Sequence, residues 1–177
     1  EFYLECAEVL GETRKAEKTL VKYAKRTKIE HSPRCYAGVV KSLVKLGRDE
    51  EARNLVRRVA AHEEEVKSSD RHFDFERPHE MANLYHAIGE IDAVRDIYAD
   101  RIDRRIKERH HPSNALNDIK KAIELTGDQS FREKELGILE RQKEYQKAAS
   151  LATELGKPEL AATYSTMHQM VAQVKAE

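Results

Sequence analysis

The chain contains no tryptophan, two cysteines and four prolines in 177 residues, and its aromatic content is 6 %. With few aromatics and few runs of β-branched residues, little in it reads as strand, so an all-β or α/β fold is not expected. Cys6 and Cys35 share no metal-ligand spacing and cannot form a multi-bridge scaffold; they read as two small apolar residues in a reducing, cytoplasmic setting. Charge of one sign is also lacking. Lys plus Arg and Asp plus Glu both number 32, so no global field favours nucleic acid or an anionic membrane as partner. No apolar run approaches the roughly 18 residues of a membrane span. A Gly-rich phosphate loop, a serine in a strained turn motif and a cysteine nucleophile signature are all missing. The expectation is a protein without catalysis, cofactor or membrane partner.

What is abundant is charge, at 36 % of residues, laid over an apolar pattern of period three to four. Tyr36, Val39, Val40, Leu43 and Leu46 precede Gly47, and Ala52, Leu55, Val56 and Val59 follow it. Both sides therefore read as amphipathic helices. The same holds around Gly89, with Met81, Leu84, Tyr85 and Ile88 before it and Ile91, Val94, Tyr98 and Ile102 after. Gly11, Gly47, Gly89, Gly127 and Gly156 each follow a helix end, with gaps of 36, 42, 38 and 29 residues. This is a degenerate repeat. Each glycine is expected to take the left-handed conformation that ends one helix and turns the chain into the next.

Pro33, Pro78, Pro112 and Pro158 fall where helices should begin, the one helical place that tolerates a missing N–H. Ser32, Ser113 and Asp128 are candidate N-caps. The spacing predicts ten helices, at 1–10, 12–29, 33–46, 48–67, 78–88, 90–109, 113–126, 128–142, 144–155 and 158–175. No Gly or Pro marks the boundary near Lys143, so residues 128–155 also admit fewer, longer pieces. Residues 67–77, KSSDRHFDFER, read as the one substantial loop.

These helix pairs resemble tetratricopeptide repeats, in which two antiparallel helices make a unit of about 34 residues. The resemblance rests on the apolar-Gly turns and on small residues just inside the second helices. Ala16, Ala52 and Ala161 lie five positions after their glycines and Ala93 four, and YQKAASLATELGKPELAATY (145–164) is the run most like the family. The missing Trp, the uneven spacing and Arg132 at a small-residue position depart from the pattern. A vesicle-coat or HEAT-type array is the alternative.

The resemblance implies an all-α, α-α superhelix (solenoid) of about five hairpins, here a single domain over 1–177. It also implies a concave face, lined by first helices, that binds an extended peptide or a partner helix. Carried onto this chain, that face holds Arg34, Lys41 and Lys45, then His79, Asn83 and His86, then Asn117 and Lys121. Asn can bond a peptide backbone in both directions and the cations suit acidic groups, so an acidic protein or peptide is the expected partner. The family's Lys and Asn arrangement for clamping a C-terminal carboxylate is not recognisable. Any helical array must also expose some polar face, so the residues alone do not distinguish a docking groove from solvated surface.

Other readings are weaker. His110 and His111 are adjacent and would diverge on a helix, while His79 and His86 lie about 10 Å apart along one. His72, Asp74 and Glu76 alternate in the loop but mix ligand types and lack a fourth member, so no metal is expected. The rival to protein binding is nucleic acid. Arg14, Lys15, Lys18, Lys22, Lys25, Arg26 and Lys28 form a basic stripe, and Arg101, Arg104, Arg105, Lys107 and Arg109 a second cluster. Against it, Glu12 and Glu17 interrupt the stripe and no exposed aromatics interleave for base stacking. No DNA-reading helix-turn-helix stands out. EFYLECAEVL (1–10) has little polar face, unlike the end helix of an array. The expectation is that the chain is a fragment of a longer protein, or that another copy covers helix 1 in a homo-oligomer.

Overall fold

The computed structural model of the chain describes residues 2–69, 77–107 and 112–174, whose regular elements are all helical. They are α1 (Phe2–Val9), α2 (Thr13–Arg26), α3 (Ala37–Lys45), α4 (Asp49–Ser69), α5 (Arg77–Ala87), α6 (Ile91–Lys107), α7 (Pro112–Thr126), α8 (Phe131–Arg141), α9 (Tyr145–Glu154) and α10 (Pro158–Val174). A short 3-10 helix, Pro33–Tyr36, leads into α3. The chain divides into two compact units, Glu1–Ile97 and Tyr98–Glu177, with the division inside α6.

The punctuation is carried by backbone conformation. Gly11, Gly47, Gly89, Gly127 and Gly156 all have φ between +68° and +78°. At Gly47 the amide donates to Val44 O at 2.9 Å and the next amide, Arg48 N–H, donates to Leu43 O at 2.8 Å. This nested pair satisfies carbonyls that the ending helix leaves open. The pair recurs at Gly11, Gly89 and Gly156. It recurs also at Lys143, whose φ is +60°: Lys143 N–H reaches Glu140 O at 2.9 Å and Glu144 N–H reaches Leu139 O at 3.0 Å. The boundary without a glycine is thus a turn of the same kind, made with a lysine, and residues 128–155 form two helices. Gly127 differs, closing α7 by a single bond to Ile123 O at 2.8 Å.

Three expected details change. The helix expected over 12–29 ends at Arg26 because tertiary partners take over its last carbonyls. Arg58 on α4 donates to Ala24 O at 2.6 Å and also to Thr27 O. The buried Tyr36 hydroxyl accepts from Glu30 N–H at 3.2 Å and donates to Lys28 O at 3.4 Å, fixing the connection that follows. Second, none of the expected N-caps acts as one. Ser32 stands at the cap but its hydroxyl makes no capping bond, lying instead 3.9 Å from Cys35 Sγ, and Ser113 lies inside α7. Asp128 accepts from Ser130 N–H at 2.9 Å, closing a turn, so α8 starts at Phe131. Third, the ends of the loop expected over 67–77 are helical, 67–69 in α4 and Arg77 in α5; its centre, 70–76, lies outside the described residues.

In the first unit Leu20 and Ala24 of α2, Val40 and Leu43 of α3, Ala52, Leu55, Val56 and Val59 of α4, and Met81 and Leu84 of α5 share one core with Tyr36. A smaller cluster joins Leu4 and Ala7 of α1 to Ala16 of α2. In the second unit Leu136 and Leu139 of α8 pack with Ala148, Leu151 and Ala152 of α9 and with Ala161 and Tyr164 of α10. Ala16, Ala52 and Ala161 are buried as expected of close helix crossings, whereas Ala93 is half-buried. Once Lys143 is seen as a turn, Ala148, five residues later and fully buried, is the small residue that Arg132 could not be.

Candidate binding surfaces

Six of the eight expected docking residues fall in the first unit, on elements packed against one another. Arg34 is in the 3-10 helix, Lys41 and Lys45 are one turn apart on α3, and His79, Asn83 and His86 lie at i, i+4 and i+7 on α5. Burying Val40 and Leu43 of α3 and Met81, Ala82 and Leu84 of α5 leaves Arg34, Lys41, Lys45 and His86 exposed and His79 and Asn83 half-buried. The 3-10 helix is tied to α5 by Arg34 N–H donating to a Glu80 carboxylate oxygen at 3.3 Å. Asn83 Nδ2 and His79 Nε2 are 3.5 Å apart. Lys45 is engaged with Glu8 of α1, at 2.9 Å, which removes it as a free cation. Beside this face the Tyr85 phenol is pushed above its usual value by burial, and further by Glu64 and Glu90. The other two residues, Asn117 and Lys121, are exposed one turn apart on α7, in the second unit.

The basic stripe on α2 divides by pairing. Lys15 reaches Glu12 at 3.3 Å and Lys25 reaches Glu51 at 3.6 Å. Glu17, which seemed to interrupt the stripe, pairs with Arg48 of α4 and raises the Arg48 pKa by hydrogen bond and charge. Arg14, Lys18 and Lys22, four apart and exposed, have no ion-pair partner among the described residues. With Lys15 and Thr19 they border a shallow groove.

The second basic cluster is largely neutralised from within. Arg101 Nε lies 2.8 Å and Arg105 Nε 2.6 Å from the same oxygen of Asp118, and Arg101 and Asp118 are about 5 % and 4 % exposed. Arg104 pairs with Asp100, and Asp103 with Lys134 at 2.6 Å. Arg109, like His110 and His111, lies outside the described residues. The ends of α6 and α8 and the first turn of α7 border an open cavity of about 630 Å³, with Arg105, Lys107 and Arg141 on its wall beside Ile106, Ala115 and Ile138. Arg141 does not belong to any pattern read from the sequence. It is isolated along the chain and reaches this place only because α8 brings its guanidinium to Ile106 O, at 3.3 Å.

Among the described residues no three His, Cys, Asp or Glu side chains cluster as metal ligands, and no helix is long and apolar enough to cross a membrane. His72, Asp74 and Glu76 lie outside them. No protein-family model, no curated protein and no solved structure matches the chain.

Proposed function

We propose that this chain is a non-catalytic docking module of the cytoplasm, a tetratricopeptide-like array of helix hairpins that holds an acidic, extended segment of a partner protein against the exposed side of α3 and α5. The observation that carries the reading is the placement of Arg34, Lys41, His79, Asn83 and His86 on adjoining elements whose opposite sides are fully committed to the core. The recurrence of one turn geometry at Gly11, Gly47, Gly89, Lys143 and Gly156 supports the repeat. The two free cysteines suit a reducing compartment.

The test is titration of the chain with a fluorescent decapeptide rich in Glu and Asp. Lys41→Glu should weaken binding more than tenfold, about 1.4 kcal/mol, with an unchanged melting temperature because exposed charges add little to stability. Asn83→Ala should weaken it too. A peptide that binds the Lys41→Glu protein as well as the parent refutes the reading.

Polyanion binding is a second reading, favoured by Arg14, Lys18 and Lys22. Their spacing of four residues places cations about 6 Å apart along α2, as tracking a phosphate backbone requires. Under this reading Lys18→Glu with Lys22→Glu abolishes binding of a single-stranded oligothymidylate, and Lys41→Glu leaves it intact.

A further inference from the structure

We propose that the cavity bounded by α6, α7 and α8 is a binding site for a small organic anion, a phosphate or carboxylate carried on an apolar body. It lies wholly within the second unit and is independent of the docking face on α3 and α5. Its volume, about 630 Å³, lies inside the range of about 300 to 1,000 Å³ usual for small-molecule sites and far exceeds what a bare phosphate fills.

The wall has two chemistries. Ile106, Ala115 and Ile138 supply apolar surface, Ala115 and Ile138 being buried by the packing that forms the cavity. Arg105, Lys107 and Arg141 supply three cations. Two of these are held in place before any ligand arrives. Arg105 is ion-paired with Asp118 at 2.6 Å, and Arg141 donates to Ile106 O at 3.3 Å. That bond uses one N–H of a guanidinium that carries five, leaving Arg141 donors for a two-pronged grip on a phosphate or carboxylate. Lys107, exposed at the end of α6, has no ion-pair partner among the described residues and is long enough to close over a bound anion.

Electrostatics favours an anion over a neutral ligand. Among the described residues, Asp118, the carboxylate paired with Arg105 of this wall, is shared with Arg101. Asp100 and Asp103 are spent on Arg104 and Lys134. Positive charge therefore remains in excess along one side of the cavity, with apolar side chains beside it. Ordering is inexpensive because Arg105 and Arg141 already hold the required side.

The test uses the full chain with methyl-labelled Ala and Ile, titrated separately with 1-naphthyl phosphate, 1-naphthoate, inorganic phosphate and neutral 1-naphthol. The expected result is saturable shifts of Ala115 and Ile138 with 1-naphthyl phosphate, 1-naphthoate or both, and the comparison of the two tells which anion the site takes. Inorganic phosphate and 1-naphthol should bind at least tenfold more weakly. Lys107→Ala and Arg141→Ala should each weaken the favoured anion about tenfold, and because both side chains are exposed, the melting curves of these variants should match the parent. Naphthol binding as tightly as the anions, shifts centred away from Ala115 and Ile138, affinity indifferent to both substitutions, or no saturation by either anion would each overturn the assignment.

Discussion

Asp118 is the residue whose loss the second unit should tolerate least. The residue is about 4 % exposed and a single carboxylate oxygen faces both Arg101, at 2.8 Å, and Arg105, at 2.6 Å. Bringing charges out of water is costly, and the attraction within such a group offsets that cost only while every member is present. Asp118→Ala leaves two guanidiniums facing each other in a poorly solvated place, and breaking a buried pair in this way costs about 3 to 5 kcal/mol. For a chain of this length that corresponds to a fall in melting temperature of roughly 6 to 20 °C. Asp118→Asn keeps an acceptor oxygen and should fall between Ala and the parent. Replacing the three charged side chains together, by Arg101→Met, Arg105→Met and Asp118→Leu, should recover much of the loss, since matched apolar groups need no partner. The exposed pair of Lys15 and Glu12, at 3.3 Å, is the control, and its removal by Glu12→Ala should cost about 0 to 1 kcal/mol. Urea and thermal unfolding followed by circular dichroism measures all four. A loss below about 1 kcal/mol for Asp118→Ala, in line with exposed pairs, would refute the argument that burial makes the carboxylate indispensable.

The turns give a graded test by the same assay. A Cβ at Gly47 meets nothing within 4 Å, so Gly47→Val should cost only the strain of a β-branched residue at φ +68°, about 1 to 3 kcal/mol, while Gly137→Ala, inside α8 and equally unobstructed, should gain about 0.5 to 1. Lys143→Gly should also stabilise, by about 0.5 kcal/mol, because relief of roughly 1 to 2 at φ +60° exceeds the added flexibility of the unfolded chain, about 0.4 to 1; equal shifts at Gly47, Gly137 and Lys143 would refute the assignment of turns. Burial raises the Tyr85 and Tyr164 phenols, with Glu64 and Glu90 adding to the first and Glu140 to the second. Their neutral forms are thus favoured by folding, a contribution present below the ordinary value of about 10 and lost as pH rises through the raised values. Melting temperature should fall more steeply above about pH 10 in the parent than in the double variant Tyr85→Phe, Tyr164→Phe, and parallel curves would contradict the cause assigned.

Most of the helical order was legible because it is encoded locally. An apolar stripe of period three to four, closed by a glycine or opened by a proline, involves residues within one or two turns of each other. The ten α-helices among the described residues follow the ten expected ones to within three residues at every end but one: α3 starts at Ala37, four residues after the expected 33, because Pro33–Tyr36 is a 3-10 helix. The misreading of the end of α2 occurs where a distant side chain intervenes, whereas the late start of α8 is local, made by the Asp128–Ser130 turn. Arg58, more than thirty positions on, takes the carbonyls that end α2, and the Tyr36 hydroxyl then holds residues 28–31 out of the helix. Lys143 is a different case. Its turn uses the same two backbone bonds as Gly47, so tertiary packing between Leu139, Ala148 and Leu151 imposes a conformation that the residue itself resists.

The binding surfaces were less legible for a physical reason: a sequence shows which charges exist but not which are already answered. Lys45 and Arg14 are equally basic on paper. In the fold Lys45 meets Glu8 across α1 and α3, whereas Arg14 has no acid facing it among the described residues. The cluster on α6 shows the same effect more strongly, since Asp118 lies on another helix and its distance to Arg101 and Arg105 is set by how α6 and α7 meet. Internal neutralisation of Arg101, Arg104 and Arg105 removes most of the continuous basic surface that a nucleic-acid reading of α6 needs. It also isolates Lys107 and Arg141, residues from two separate helices, as the cations still able to meet a ligand at the α6 end, which is why that site emerges only when α8 is placed beside it.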